Sequence, residues 1–444
     1  MNNSIKLFLI VFFGASVAAC GGGGGAAAPA VTSGSLTAVT VDSAGVLGNG
    51  LGYTPAVSGD GTRIVFAANS TTLVANDNNG FVDVFLHDTT TGVTTLISVN
   101  STTLAQANAD SARPAISDDG RMVAFESAAT NLVAGDTNGV SDIFLHDTVT
   151  GITTRASVDT AGVEGNGASI IASLSTTGQF VAFQSLATNL VAGDTNAVSD
   201  IFVRDTAAGA PTTTRVSVTS AGIQTAGASG NASISGDGQN IAFQSSATDL
   251  VAGVTIGGIY LHNTFNNSTT FVSRDSAGVV NDWVSEAPSI SNNGNFISFA
   301  SRATNLVAGD TNATWDIFRR DLVAQTTTRV SVDSNGVQHN GLDLVYSKIS
   351  GDGRYVAFSG SATNLVAGDT NGFSDVFVHD CSLGATNSTI RASISATGAQ
   401  GDKHSGQAAI SSNGQFVAFA STATTLNGRP SYATQQDILL KKLF

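Results

Sequence analysis

Pro114-Ala115-Ile116-Ser117-Asp118-Asp119-Gly120-Arg121-Met122-Val123-Ala124-Phe125-Glu126 is a short apolar run, a polar turn, and a second run that alternates with period two. Such alternation marks a strand with one buried face. Asp and Gly between the runs suit a tight reversal. Downstream, a longer polar segment, Ser127–Ser141, leads to a third strand, Asp142–Asp147, closed by Thr148-Val149-Thr150-Gly151. Thr153–Val158 reads as a fourth strand, and the loop Asp159–Gly167 leads into the next unit. The Ser-x-x-Gly turn returns at Ser58–Gly61, Ser117–Gly120, Ser175–Gly178, Ser235–Gly238, Ser291–Gly294, Ser350–Gly353 and Ser411–Gly414. Its glycines are 59, 58, 60, 56, 59 and 61 residues apart. A fixed period signals a repeat architecture. Seven units of four antiparallel strands predict an all-β fold, a seven-bladed β-propeller.

The chain ends support a closed ring. The last copy supplies three strands, finishing at Asp437-Ile438-Leu439-Leu440. Ahead of the first copy stands a lone strand, Leu36–Val41, followed by Asp42-Ser43-Ala44-Gly45, the pattern of a fourth strand and its loop, as at Arg329–Asp333. The N-terminal strand is therefore expected to complete the last blade and remove two open sheet edges. An open solenoid would not explain the split repeat.

S-x-D-G before an alternating strand, then D-[IV]-F-[LV]-H-D, resembles the TolB-type (WD40-like) β-propeller repeat of bacterial envelope proteins, from about Leu36 to Leu443. The Pro of that family's SPDG turn is absent from all seven copies. The resemblance implies the propeller fold; such propellers serve as docking modules, as carriers beside hydrolase domains and as lipoproteins.

Residues 1–19 read as a signal peptide, with Lys6 ahead of an apolar stretch, Leu7–Val17, too short to span a bilayer. Val17-Ala18-Ala19-Cys20 resembles the bacterial lipoprotein processing site, which implies cleavage before Cys20 and its lipidation. An ordinary secretory signal is the alternative. Residues 20–34, with Gly21–Ala30 at their centre, read as a flexible tether, and residues 35–444 as a single propeller domain. The expected address is the bacterial envelope, as an outer-membrane lipoprotein facing periplasm or surface. A monomer is expected, touching membrane only through the Cys20 lipid. After processing, Cys381 is the only cysteine, so no internal disulfide can form.

The net charge of −14 disfavours nucleic acid, which needs clustered Lys and Arg. Only Glu126, Glu164 and Glu286 are glutamates, so nearly all the acid is Asp. Five copies carry Asp-x-Asn-x3-Asp: Asp77/Asn79/Asp83, Asp136/Asn138/Asp142, Asp194/Asn196/Asp200, Asp310/Asn312/Asp316 and Asp369/Asn371/Asp375. Calcium takes six to eight oxygen ligands, and two acids and an amide around a turn can converge as oxygen donors. The pattern resembles the rear half of D-x-D-x-D-G-x-x-D calcium loops but lacks the leading acid. Asp and Asn also cap turns without any metal. Both readings, calcium and turn chemistry, stand at this point.

His87, His146, His262 and His379 end the third strand of four copies and read as turn residues. Arg155, Arg215, Arg329 and Arg391 recur in the fourth strand, placed to cover the outer edge or pair with nearby acids. The S-x-D-G turns and those after His-Asp belong to one rim, the long segments to the other, where binding residues are expected. No G-x-S-x-G elbow, H-E-x-x-H or Cys/His zinc spacing occurs. The function expected is a non-catalytic, lipid-anchored scaffold that binds a protein or glycan at the envelope. The alternative is a hydrolase or lyase at the channel mouth, using residues where the repeats break pattern: Trp283, Glu286, Trp315, Tyr346 or Arg429.

Overall fold

The computed structural model describes residues 34–342, 344, 346–382, 388–430 and 434–444. Residues 1–33, with the leader, Cys20 and most of the tether, lie outside them. The described residues form seven four-stranded antiparallel sheets, the blades of a propeller. In blade two the strands are Ser111–Ile116, Met122–Ser127, Asp142–Asp147 and Ile152–Arg155, in that order across the sheet. Blades one and three to six repeat this order, starting at Gly52, Ser169, Ser229, Ser285 and Ser347. Blade seven takes Ser405–Ile410, Phe416–Ser421 and Asp437–Lys442 from the C-terminal end, and Leu36–Ala38 as its fourth strand. Leu36 pairs with Lys441, Thr37 with Leu440 and Ala38 with Leu439. The ring is closed as the split repeat predicts.

Apolar packing runs between blades as well as within them. The second and third strands are buried on both faces, so their sequences are nearly continuous apolar runs. Cross-strand aromatic pairs occupy six blades, as in Phe66–Phe85, Phe125–Phe144 and Phe243–Tyr260, with centroids 5.8, 5.7 and 6.0 Å apart. Phe66 and Phe85 of blade one share a cluster with Ala418, Ile438 and Leu440 of blade seven, so the closure is apolar as well as hydrogen-bonded.

The fourth strand is shorter than its sequence suggests. It stops at Arg155, because the chain must leave the sheet to reach the next blade. Val158 then pairs with Glu164 in a small hairpin, and Val41 with Leu47 in the same way. These hairpins do not stay on the long-loop rim; they run over the outer wall and clip the following blade. Thr213 Oγ1 of blade three donates to Val158 O at 2.6 Å, and Thr213 N to Thr160 Oγ1 at 3.1 Å.

The four histidines are parts of this clip rather than turn residues. His87, His146, His262 and His379 are buried, with Nδ1 2.8–2.9 Å from the hydroxyls of Thr94, Thr153, Thr269 and Thr389. Those hydroxyls bond onward to Val41 O, Val99 O, Val218 O and Val332 O of the preceding hairpins. In blades three and five Arg204 and Arg320 take the histidine's place. Burial lowers the histidine pKa values, to about 4 at His262 and His379.

Candidate functional site

The second residues of the seven Ser-x-x-Gly turns are Gly59, Asp118, Thr176, Gly236, Asn292, Gly351 and Ser412, all small or short. Being on innermost hairpins, they meet at the propeller axis. Gly59 N donates to Asp118 O, Asp118 N to Thr176 O, Thr176 N to Gly236 O and Gly236 N to Asn292 O, at 2.9–3.0 Å. Asn293 N to Gly351 O, Gly351 N to Ser412 O and Asn413 N to Gly59 O complete the circle. Inside it, Asn292 Nδ2 donates to the Asp118 carboxylate and to Ser412 Oγ, and Ser412 Oγ donates to Asp118 Oδ1 at 2.6 Å. These side chains come from blades two, five and seven, so they touch only by meeting across the axis. A Cβ on Gly236 would stand 2.5 Å from Thr176 Oγ1, which is why this position takes no larger side chain. The short-turn rim therefore closes the channel. The sequence carries this plug as a small or short second residue in every copy, a position whose meeting across the axis no local pattern displays.

The channel opens on the long-loop rim, and its wall is built by a repeated irregularity. In six blades the innermost strand carries a register shift around its third residue. That residue has positive φ without being glycine: Thr54 (43°), Arg113 (46°), Ile171 (55°), Asn231 (51°), Ala287 (51°) and Gln407 (53°). Bulges of this kind re-aim side chains and cluster beside functional sites. The freed N–H groups are held by side chains from the adjoining blade. Thr54 N donates to Gln407 Oε1 at 2.9 Å, Ile171 N to Glu126 Oε2 at 3.1 Å and Ala287 N to Gln244 Oε1 at 3.0 Å. Arg113, exposed by half, reaches Glu126 at 2.8 Å.

Two cavities indent this wall. One of about 290 Å³ lies between blades six and seven, against Ser359, Ser374, His404, Gln407 and Gln436. The other, about 270 Å³, spans blades three to five, against Gln184, Ser199, Gln244 and Glu286. Glu286, paired through its backbone with Ala300, has no side-chain hydrogen bond or ion pair among the described residues. The same holds for Lys348, on the innermost strand of blade six, where the six other blades have Ala56, Ala115, Ser173, Ser233, Ser289 and Ala409. Lys348 is exposed to solvent, yet surrounding protein pushes its pKa down. The Lys348 ammonium is thus open to solvent yet enclosed by the protein that lines the channel.

The other pattern-breaking residues are placed as follows. Arg429 clamps Asp437 at 2.6 and 2.8 Å. Trp283 is exposed under Arg302, Trp315 packs into the core and Tyr346 is exposed. Cys381 is half-buried, its thiol pushed up to about 12 by burial.

The five Asp-x-Asn-x3-Asp loops lie on the long-loop rim. In four of them Asn Nδ2 donates to the final Asp and Asn Oδ1 accepts the N–H two residues on, as in Asn79–Asp83, Asn138–Asp142, Asn196–Asp200 and Asn371–Asp375. In the fifth, Asn312 bonds His339, whose Nε2 lies 3.1 Å from Asp316. The fourth-strand arginines reach into four loops. Arg155 Nη1 stands 3.3 Å from both Asp136 and Asp142, and 2.7 Å from Glu164. Arg215 lies 3.3 and 3.7 Å from Asp194 and Asp200, and Arg329 3.6 and 3.8 Å from Asp310 and Asp316. Arg391 lies 2.9 and 3.2 Å from Asp369 and Asp375. Each pair of acids in these four loops thus already straddles a cation. In blade one, Asp77 and Asp83 have no such partner among the described residues, and Leu96 stands where the arginine would be. Among the described residues no three His, Cys, Asp or Glu side chains converge as a metal-holding group, and no helix is long and apolar enough to cross a membrane.

No family model matches this sequence, and no curated protein does. Solved propellers match in shape. The β-propeller domain of the Trilobed protease from Pyrococcus furiosus, described as having an open velcro topology, aligns over 90% of this chain and 97% of its own at 11% identity and a TM-score of 0.54. Oligogalacturonate lyase from Vibrio parahaemolyticus aligns over 89% of this chain and 91% of its own at 12% identity and a TM-score of 0.52. TolB from Acinetobacter baumannii covers 90% of this chain and 80% of its own, at 13% identity and a TM-score of only 0.39. At these identities the likeness is one of fold.

Proposed function

We propose that this chain is a non-catalytic envelope propeller, anchored through a lipidated Cys20, that receives a glycan or protein at the channel mouth on its long-loop rim. The observation that carries this reading is the one-ended channel: seven interlocked turns close one rim, and two cavities with Gln, Ser, His and Glu side chains in their walls open on the other. Its non-catalytic character is supported by the way acids and bases are engaged. Glu126 is held by Arg113 and by Ile171 N, Glu164 by Arg155, and four histidines by threonines. A second reading, a lyase or hydrolase in the same mouth, draws on Glu286 and on Lys348, whose lowered pKa would suit a proton acceptor.

Calorimetry of the full chain with oligogalacturonate and with a neutral oligosaccharide, alongside ultraviolet detection of unsaturated products and an assay for new reducing ends, separates these readings. Binding of the acidic oligomer without either product, weakened in Lys348→Met, supports the scaffold; unsaturated product supports a lyase, and new reducing ends without unsaturation support a hydrolase. Failure of both oligomers to bind removes the glycan arm. For the anchor, Cys20→Ser should move the protein from the membrane fraction to the soluble one, and unchanged sedimentation would overturn it.

A further inference from the structure

We propose that the loop of blade one is a calcium site, held by Asp77 and Asp83, whose cation is not supplied by the protein. The argument rests on the other six blades and is independent of what the channel binds. Wherever one of those blades opens its third strand with Asp, an arginine comes to it. Arg155 meets Asp142, Arg215 meets Asp200, Arg329 meets Asp316, Arg391 meets Asp375 and Arg429 meets Asp437. Blade four lacks both: Gly258 replaces the Asp, and Phe271 stands opposite Tyr260 where blades two, three, five and six have Arg. A carboxylate buried at this depth needs a positive partner, and the two residue types come and go together.

Blade one breaks the rule. It keeps both acids, but Leu96 stands opposite Phe85 in the register where Arg155 stands opposite Phe144. It also adds a third acid. Asp110 adjoins the loop, accepting from Val82 N, where blades three and four begin after Ala168 and Ala228. Asp77 is only 7% exposed and has no hydrogen bond or ion pair among the described residues. Asp83 is fully buried, accepting from Ser98 Oγ and Asn79 Nδ2. Burial, with Asp77 and Asp110 adding to it, raises the Asp83 pKa to about 6 against those hydrogen bonds.

The sister loops show the reach of such a pair: one nitrogen of Arg391 lies 2.9 and 3.2 Å from its two carboxylates. Asp77 and Asp83 occupy the equivalent positions, so a single cation can touch both. Oxygen donors without His or Cys favour calcium over zinc. With only two carboxylates, backbone carbonyls and water must complete the shell, and the affinity belongs with the weak extracellular modules, about 10⁻⁴–10⁻³ M.

The test compares thermal melting and calorimetry of the full chain in EDTA, NaCl, MgCl₂ and CaCl₂. Calcium should raise the melting temperature, because it binds the folded state alone. Asp77→Asn should abolish the shift. Leu96→Arg should also abolish it while melting in EDTA no lower than the parent, because the guanidinium takes the cation's place. No change with calcium up to about 10 mM, ten times the weakest affinity expected for this class, would overturn the proposal. So would an equal shift with magnesium or NaCl, or a calcium shift that survives in Asp77→Asn. If Leu96→Arg folds poorly, direct calorimetry of the parent against Asp77→Asn decides the matter.

Discussion

Arg391 shows what single residues contribute to this propeller. Its guanidinium is nearly buried and bridges Asp369 and Asp375, one carboxylate at a loop's start and one at a strand's. Removing one member of such a group leaves uncompensated buried charge. Arg391→Met is expected to cost about 3 kcal/mol, read as a lower urea midpoint at unchanged m. Adding Asp369→Asn and Asp375→Asn should recover more than half of that loss, since the cost lies in the orphaned carboxylates. Full additivity of the three changes would contradict this account. The sequence displayed both halves of the group, the Asp-x-Asn-x3-Asp loops and the recurring arginines, and pairing with acids was among the roles it allowed. What it could not display is that the fourth strand lays Arg391 across the mouth of its own blade's loop, 22 residues back at Asp369. The histidines were misread for a related reason. Their partners, such as Thr94 for His87, lie in the next strand, and the chain that completes the clip comes from the previous blade.

At the scale of elements, the short strand Leu36–Ala38 carries a load out of proportion to its length. Lys442 N bonds Ser35 O and Val39 N bonds Ile438 O, which places Thr37 in a hydrogen-bonded pair with Leu440. Thr37→Pro removes that donor and should cost roughly 1–3 kcal/mol. It should also free the edge of Asp437–Lys442, visible as concentration-dependent oligomers in size-exclusion chromatography. A variant that stays monomeric and melts like the parent would mean that the apolar contacts of Val39 suffice for closure. This element was legible because alternation and turn chemistry are local signals. The hairpins after each fourth strand were not, because their course depends on the neighbouring blade.

At the scale of the whole molecule, the buried His–Thr clips set a pH limit. In the folded state His262 and His379 titrate near 4, below the ordinary 6.5, because burial disfavours the imidazolium. The native form therefore prefers neutral rings. The stability they contribute is complete above pH 6.5 and is lost as pH falls from there toward 4. His87 and His146 act in the same direction. Asp83, with its raised pKa, acts the opposite way and gains as it protonates. Burial raises the pKa values of Asp77, Asp118, Asp136, Asp200, Asp310 and Asp369 as well, so the histidine share is read as a difference between variant and parent. His262→Gln with His379→Gln should lose less stability than the parent as pH falls from 6.5 toward 4, measured by urea midpoints, and an identical profile would place the acid sensitivity elsewhere. Blades three and five, clipped by Arg204 and Arg320, are insulated from it.

The circle of seven turns has a consequence for the shape of whatever enters. Because Asp118, Asn292 and Ser412 interlock across the axis, the bore is a blind alley. A long polymer cannot be threaded through it or drawn along it in steps. An occupant must present a chain end, a side branch or a protruding loop, go in head first, and back out by the way it came.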